Sequence, residues 1–189
     1  MSFLSRTLQI GRHLFSSSRP STSTMTEKAT FAAGCFWGVE HLYNKHFKKD
    51  GIETRVGYIG GHTDNPTYKE VCTSNTDHAE AVEISFDPKR VSYDTLVEFF
   101  YRIHDATTVN AQGPDVGSQY RSAIFYHSPD QKAVAEKVTQ EVQEKHYKDK
   151  KIVTKIEPAS TFYDAETYHQ LYLEKNPSGY TCPTHFLRW

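Results

Sequence analysis

Cysteine is scarce in this 189-residue sequence: Cys35, Cys72 and Cys182 are all there are, and no two form a Cys-x-x-Cys pair. So sparse and odd a set is not the framework of a disulfide-stapled secreted domain, and without the pair the usual structural zinc site is not expected. The ten histidines include no His-Glu-x-x-His and no close His/Cys group, so no metal is expected either. No apolar run approaches the roughly 20 residues that span a bilayer. Excess positive charge is also missing: 22 Lys and Arg against 23 Asp and Glu leave a formal net charge of −1, and no basic surface argues for nucleic acid. Internal repeats are absent, and the length suits one ordinary domain with a real core. Thiols outside any disulfide or metal pattern point to reactive thiol chemistry in a reducing compartment.

Acidic residues are missing from residues 1–24, which carry Arg6, Arg12, Arg19 and serines at 16, 17, 18, 21 and 23. Leu4, Leu8 and Phe15 suit one side of a short helix. A basic, Ser-rich, acid-free amphipathic stretch has the composition of a mitochondrial transit peptide, the other reading being a disordered tail. Met25 precedes the first strand signal and suits a second start, which would leave a cytosolic form. The domain expected to follow is 25–189, ending in a flexible tail over 176–189.

Beyond Ala29, strand and helix signals alternate. Thr30–Ala33 suggests a short strand, followed by a helix to about Lys49 with Val39, Leu42, Tyr43 and Phe47 as its apolar stripe. Residues 52–59 read as a second strand and 60–66 as a loop. In 79–86 the alternation places Val82, Ile84 and Phe86 on one side and Glu83 and Ser85 on the other. A helix is expected over 92–103, a long polar loop over 104–118, and a strand over 120–127. Ser128-Pro129-Asp130-Gln131 is a capping box opening a helix with Val134, Val138 and Val142 on one face. A strand over 152–156 and a helix over 165–174 complete the order. Interleaved strands and helices with long loops predict an α/β or α+β fold on a mixed sheet.

Cys35 stands where a strand hands over to a helix, between Gly34 and Gly38. Helix N–H groups and dipole would favour thiolate there, lowering its pKa below the free value of about 8.5. The glycines would let substrate approach the backbone closely. A small buried core residue is the other reading of Cys35. Phe36 and Trp37 suit either an apolar pocket beside the nucleophile or simple core packing. Glu80 shares the parity of Val82, Ile84 and Phe86, so its carboxyl should be desolvated and its pKa raised, leaving a neutral acid that can donate a proton. At the strand end it can equally turn out to water. Glu83, on the opposite parity, reads as a solvated charge.

Gly34-Cys35-Phe36-Trp37-Gly38 resembles the signature of the A-class peptide methionine sulfoxide reductases. Further segments resemble that family in the same order: Gly57-Tyr58-Ile59-Gly60-Gly61, Asn65-Pro66-Thr67-Tyr68, His78-Ala79-Glu80-Ala81-Val82, and Gln112-Gly113-Pro114-Asp115 running on to Gln119-Tyr120-Arg121-Ser122. Tyr168-His169-Gln170 and Gly179-Tyr180-Thr181-Cys182 complete the set, and the resemblance covers 29–189.

It implies a mixed-sheet two-layer α/β plait with a split β-α-β, ferredoxin-like core and long loops. It implies that Cys35 attacks the sulfoxide sulfur, that Glu80 protonates the oxide, that Tyr68 and Tyr120 hold the oxide oxygen, and that Asp115 fixes the polar side. Phe36 and Trp37 would wall the methyl group. Cys182, in a tail able to swing, would resolve the Cys35 sulfenic acid, and Cys72 has no essential part. No cofactor is implied beyond external thioredoxin. The expected partners are oxidised proteins, free methionine sulfoxide and thioredoxin, and the expected state is a monomer in mitochondrion or cytoplasm. Two rivals are a peroxidase, which gives no reason for the paired aromatics or Glu80, and a redox sensor, which would form the disulfide without turnover.

Overall fold

A computed structural model describes residues 25–189; the transit reading of residues 1–24 lies outside the described residues. Strand β1 (Glu27–Ala33) passes through Gly34 and Cys35 into helix α1 (Phe36–Phe47). The chain turns back at left-handed Gly51 (φ 77°) into β2 (Glu53–Ile59). A one-turn helix α2 (Tyr68–Val71) follows, then β3 (Ala79–Phe86) and α3 (Tyr93–Ile103). The polar loop holds a small hairpin, β4 (Ala111–Gln112) with β5 (Asp115–Val116), before β6 (Ser122–Tyr126). Then come α4 (Pro129–His146), β7 (Lys155–Pro158), β8 (Tyr163–Asp164) and α5 (Tyr172–Lys175).

The main sheet runs β7-β6-β1-β3-β2-β8. Both β1 and β2 pair antiparallel with β3, so they are parallel to each other with β3 between them. That is a split β-α-β unit closed by α1. A second one, β3-α3-β6, is split by β1 in the same way. The two interleave into the plait expected from the sequence, and parallel β7 beside β6 makes the sheet mixed.

One sheet face, with Phe31, Val56, Tyr58, Val82, Ile84, Phe86 and Ile124, is buried under Val39 and Tyr43 of α1, Leu96 and Phe100 of α3, and Val138 and Val142 of α4. The other carries a smaller cluster of Ala32, Ile59, Ala81 and Phe125 beneath Ala159 and Phe162. That cover corrects the expectation for Glu83. Its side chain is 5% exposed, not solvated, and its Oε1 meets Lys28 Nζ at 3.0 Å and Arg55 Nη2 at 2.8 Å. The Arg55 guanidinium in turn lies 4.8 Å from the Phe162 ring centroid.

Other boundaries moved for readable reasons. Helix α2 was not expected, although Thr67 and Glu70 form its capping box. At the expected 152–156 strand, the N–H groups of Ile152 and Val153 go instead to Gln143 and Ala106, so pairing starts only at Lys155. The helix expected over 165–174 is mostly a turn: Leu171 is left-handed (φ 53°), and only Tyr172–Lys175 is helical. Long-range partners hold that turn. Leu171 N–H donates to Glu40 at 2.8 Å, and Gln170 both accepts from Val56 N–H and donates to Val56 O. Residues 176–189 carry no helix or strand, in keeping with their composition.

Candidate active site

Cys35 is the N-cap of α1, 7% exposed. The N–H after it, that of Phe36, donates to Oε2 of Glu80 at 3.1 Å. Glu80 lies on the inner face of β3, opposite Tyr58, and is 2% exposed. The strand parity therefore places it inward as expected, and burial pushes its carboxyl up to about 8, against the Phe36 hydrogen bond that pulls it down. At neutral pH it is a protonated acid inside the protein.

Cys35, Phe36, Trp37, Tyr68, Glu80, Asp115 and Tyr120 line one cavity of about 130 Å³, joined by Tyr180. All the expected site residues except Cys182 thus meet at a single wall. The space suits the end of one side chain rather than a whole drug-sized ligand, which needs roughly 300 Å³ or more. A larger hollow of about 480 Å³ beside Tyr93 and His127 is lined by no thiol and no catalytic pair.

Tyr68 opens α2 and Tyr120 ends a 3-10 turn ahead of β6; both are half-buried. Burial, then the nearby Glu80 charge, raises the Tyr120 phenol well above its ordinary range; for Tyr68 the Cys72 thiol beside its hydroxyl adds to burial. Both therefore remain protonated donors. Asp115 accepts from the Tyr180 hydroxyl at 2.9 and 3.1 Å through its two oxygens.

Two expectations about Cys35 are corrected. Its thiol is held well above the usual thiol range, not below it. Burial is the main cause and the Glu80 carboxylate the next, and together they outweigh the backbone N–H groups of Trp37 and Gly38. The flanking glycines also do not open the backbone to substrate. A Cβ on Gly34 would stand 2.6 Å from the Gln112 side chain, and one on Gly38 2.2 Å from His185 Nδ1. These glycines instead let β4 and the C-terminal tail pack against the Cys35 turn.

That packing seats the tail cysteine against β4. Cys182 is 2% exposed, and its thiol donates to the backbone oxygen of Gln112 at 3.5 Å and contacts Thr184 Oγ1 at 3.2 Å. Gln112 thus touches both Gly34, beside Cys35, and Cys182. Cys72, after α2, is exposed. All three thiols are free, and among the described residues no group of three His, Cys, Asp or Glu side chains is placed to hold a metal.

The sequence reading gave no role to the groups behind the cavity. Glu166 Oε1 accepts from Tyr68 N–H at 2.9 Å and its Oε2 from Tyr58 O–H at 2.8 Å. His169 Nδ1 accepts from the Trp37 indole at 3.0 Å. The motifs around His169 and Tyr180 were visible, but their partners, over 60 residues away, were not.

Known proteins are similar to this chain over most of the described residues. The family model for peptide methionine sulfoxide reductase matches residues 27–187. A probable peptide methionine sulfoxide reductase from Schizosaccharomyces pombe is 59% identical over 163 residues, covering 85% of this chain and 96% of that protein. The crystal structure of Mxr1 from Saccharomyces cerevisiae in reduced form superposes with a TM-score of 0.82 at 48% identity, covering 87% of this chain and 93% of that one. The same yeast protein in complex with Trx2 superposes at 0.61 and 32% identity, covering 92% and 97%. The chain belongs to the peptide methionine sulfoxide reductase family.

Proposed function

We propose that this chain is an oxidoreductase of protein repair that returns methionine-S-sulfoxide, free or in oxidised proteins, to methionine at the expense of thioredoxin. The observation that carries the mechanism is the pairing of a buried thiol and a buried carboxyl in one small cavity. Phe36 and Trp37 wall the methyl group, while Tyr68 and Tyr120 donate to the oxide oxygen and Asp115 supports that polar side. With Glu80 protonated, the larger of the two carboxylate charges opposing a Cys35 thiolate is gone, leaving burial and Asp115 against it and the N–H groups of Trp37 and Gly38 to stabilise it.

The Cys35 sulfur attacks the sulfoxide sulfur as Glu80 protonates the oxide. The hydroxyl of the resulting S–S adduct passes to the Cys35 sulfur as the S–O and S–S bonds break, leaving Cys35 as sulfenic acid and releasing methionine. The thiol's own proton returns to Glu80, so two electrons pass from Cys35 to the substrate and protons balance. Cys182 then displaces hydroxide from the sulfenic acid, giving the Cys35–Cys182 disulfide and water. Thioredoxin's dithiol reduces that disulfide by exchange. The yeast relative solved in complex with Trx2 supports this choice of reductant. No resident cofactor enters the cycle.

We further propose that the chain acts as a monomer, that residues 1–24 direct it to mitochondria, and that a product begun at Met25 stays in the cytoplasm and is active. The deciding experiment for the activity is turnover of each sulfoxide epimer with thioredoxin or dithiothreitol as reductant. Consumption of the S epimer alone is expected; equal consumption of both, or of hydroperoxide in preference, would overturn the assignment.

A further inference from the structure

Tyr168-His169-Gln170 takes no part in the proposed chemistry, yet His169 lies directly behind the cavity, 1% exposed. Its ring centroid is 4.6 Å from that of Tyr68, 5.1 Å from Phe36 and 5.5 Å from Trp37, while Tyr168 covers it at 4.2 Å. Its Nδ1 accepts the indole N–H of Trp37. An indole only donates, so the neutral ring must carry its proton on Nε2. Among the described residues that buried N–H has no hydrogen-bond partner; the nearest carboxylate oxygen, Glu166 Oε2, is 3.8 Å away. A phenylalanine would fill the same space without leaving a buried donor unmet. Packing alone therefore does not account for histidine here, whereas the Trp37 bond does.

The chain just after His169 is held by Glu40 on the Leu171 N–H and by Gln170 on Val56, and the His169 N–H itself donates to Glu166 O at 2.8 Å. Trp37 is held from the other side by face-to-face stacking on Tyr172, 3.8 Å between centroids at 14°. The rigid turn thus presents one acceptor to one indole, fixing the ring's rotation about its own axis as stacking by itself would not.

From this geometry we propose that His169 is a positioning residue that sets the orientation of Trp37 and with it the fit of the substrate's S-methyl group. The inference rests on Trp37 being a wall of the methyl pocket, as proposed above.

The test compares His169→Phe, which keeps the bulk, with His169→Asn, which keeps an acceptor in place of Nδ1, and both with Trp37→Phe, which removes the donor. His169→Phe should raise KM for a methyl sulfoxide about 3- to 10-fold, the worth of one neutral hydrogen bond. Its kcat should change less, and its preference for methyl over ethyl sulfoxide should shrink. In a Trp189→Phe background, the single indole N–H resonance should move to its unbonded position. His169→Asn should restore most of the loss, and the Trp37→Phe/His169→Phe pair should lose no more than either single variant. An unchanged KM in His169→Phe, additive losses in the pair, or failed rescue by asparagine in a protein that melts like wild type would overturn the proposal. If Trp37→Phe leaves KM unchanged while the indole resonance still responds to His169, the methyl-wall reading is wrong and this inference falls with it, although the hydrogen bond stands.

Discussion

Phe36 and Glu80 are joined by a 3.1 Å hydrogen bond, backbone N–H to carboxyl oxygen, across 44 residues of sequence. The residue that follows Cys35 therefore holds the Glu80 carboxyl. Glu80→Gln keeps an acceptor for that N–H but has no proton to give. The chemical step should slow by about 10²- to 10⁴-fold, the usual worth of general acid catalysis. Rapid-quench measurement of methionine formation checks this, and a near wild-type rate would remove Glu80 from its role.

The same carboxyl sets a pH limb. With Glu80 pushed up to about 8, its proton is lost above that pH, so the wild-type single-turnover rate should fall on the alkaline side, and Glu80→Gln should lack that limb. Stability follows the same sign. The folded form binds the Glu80 proton more tightly than the unfolded chain, whose ordinary value is 4.5, so its contribution is fully present below that pH and is lost as pH rises towards 8. Denaturant unfolding across that window should show a loss of at most about 1.4 kcal/mol per pH unit from this group, absent in Glu80→Gln.

The later cysteines separate by kinetics. Cys35→Ser should abolish turnover, since an alcohol is far less nucleophilic than a thiolate. Cys182→Ser should release a burst of about one methionine per enzyme and then nearly stop with thioredoxin as reductant. Exposed Cys72 has no place in the sequence of steps, and Cys72→Ser should turn over steadily. Steady thioredoxin-driven turnover in Cys182→Ser would overturn the role given to the tail.

Gly34 has φ 88°, and its missing Cβ is the space that Gln112 fills. Gly34→Ala adds left-handed strain of about 1–2 kcal/mol and pushes Gln112 off the turn. A lowered melting temperature with impaired disulfide formation is expected. Wild-type values for both would mean that the close approach has no consequence.

Localisation is checked with fluorescent fusions. The full chain should enter mitochondria, and one begun at Met25 should remain cytosolic and active. An unchanged distribution after removal of residues 1–24 would refute the transit reading.

The sequence made legible whatever depends on local periodicity. The alternation in β3 sent Glu80 inward, and the strand-to-helix junction located Cys35. Features set by distant partners were not legible. Glu83 looks solvated until the Phe162 segment is seen to cover that face. The 165–174 stretch has helical composition, but Glu40 and Val56 claim its polar groups. The Cys35 thiol reads as acidic from the helix terminus alone; burial and a carboxylate brought in from β3 reverse that.

The tail is anchored beyond Cys182 as well as before it. His185 Nε2 bonds Ala33 O at 2.7 Å, Arg188 N–H reaches Arg102 O, and Trp189 stacks on His146 with centroids 3.9 Å apart. In the proposed cycle a thiol on so short a closed loop is a tethered reagent, meeting the Cys35 sulfenic acid at an effective concentration on the order of millimolar or more. Resolution then proceeds as a first-order event, indifferent to the surrounding thiol pool. It also leaves a second oxidant little time to carry Cys35 on to the irreversible sulfinic acid. Under that proposal the anchored end of the chain is a safeguard of Cys35.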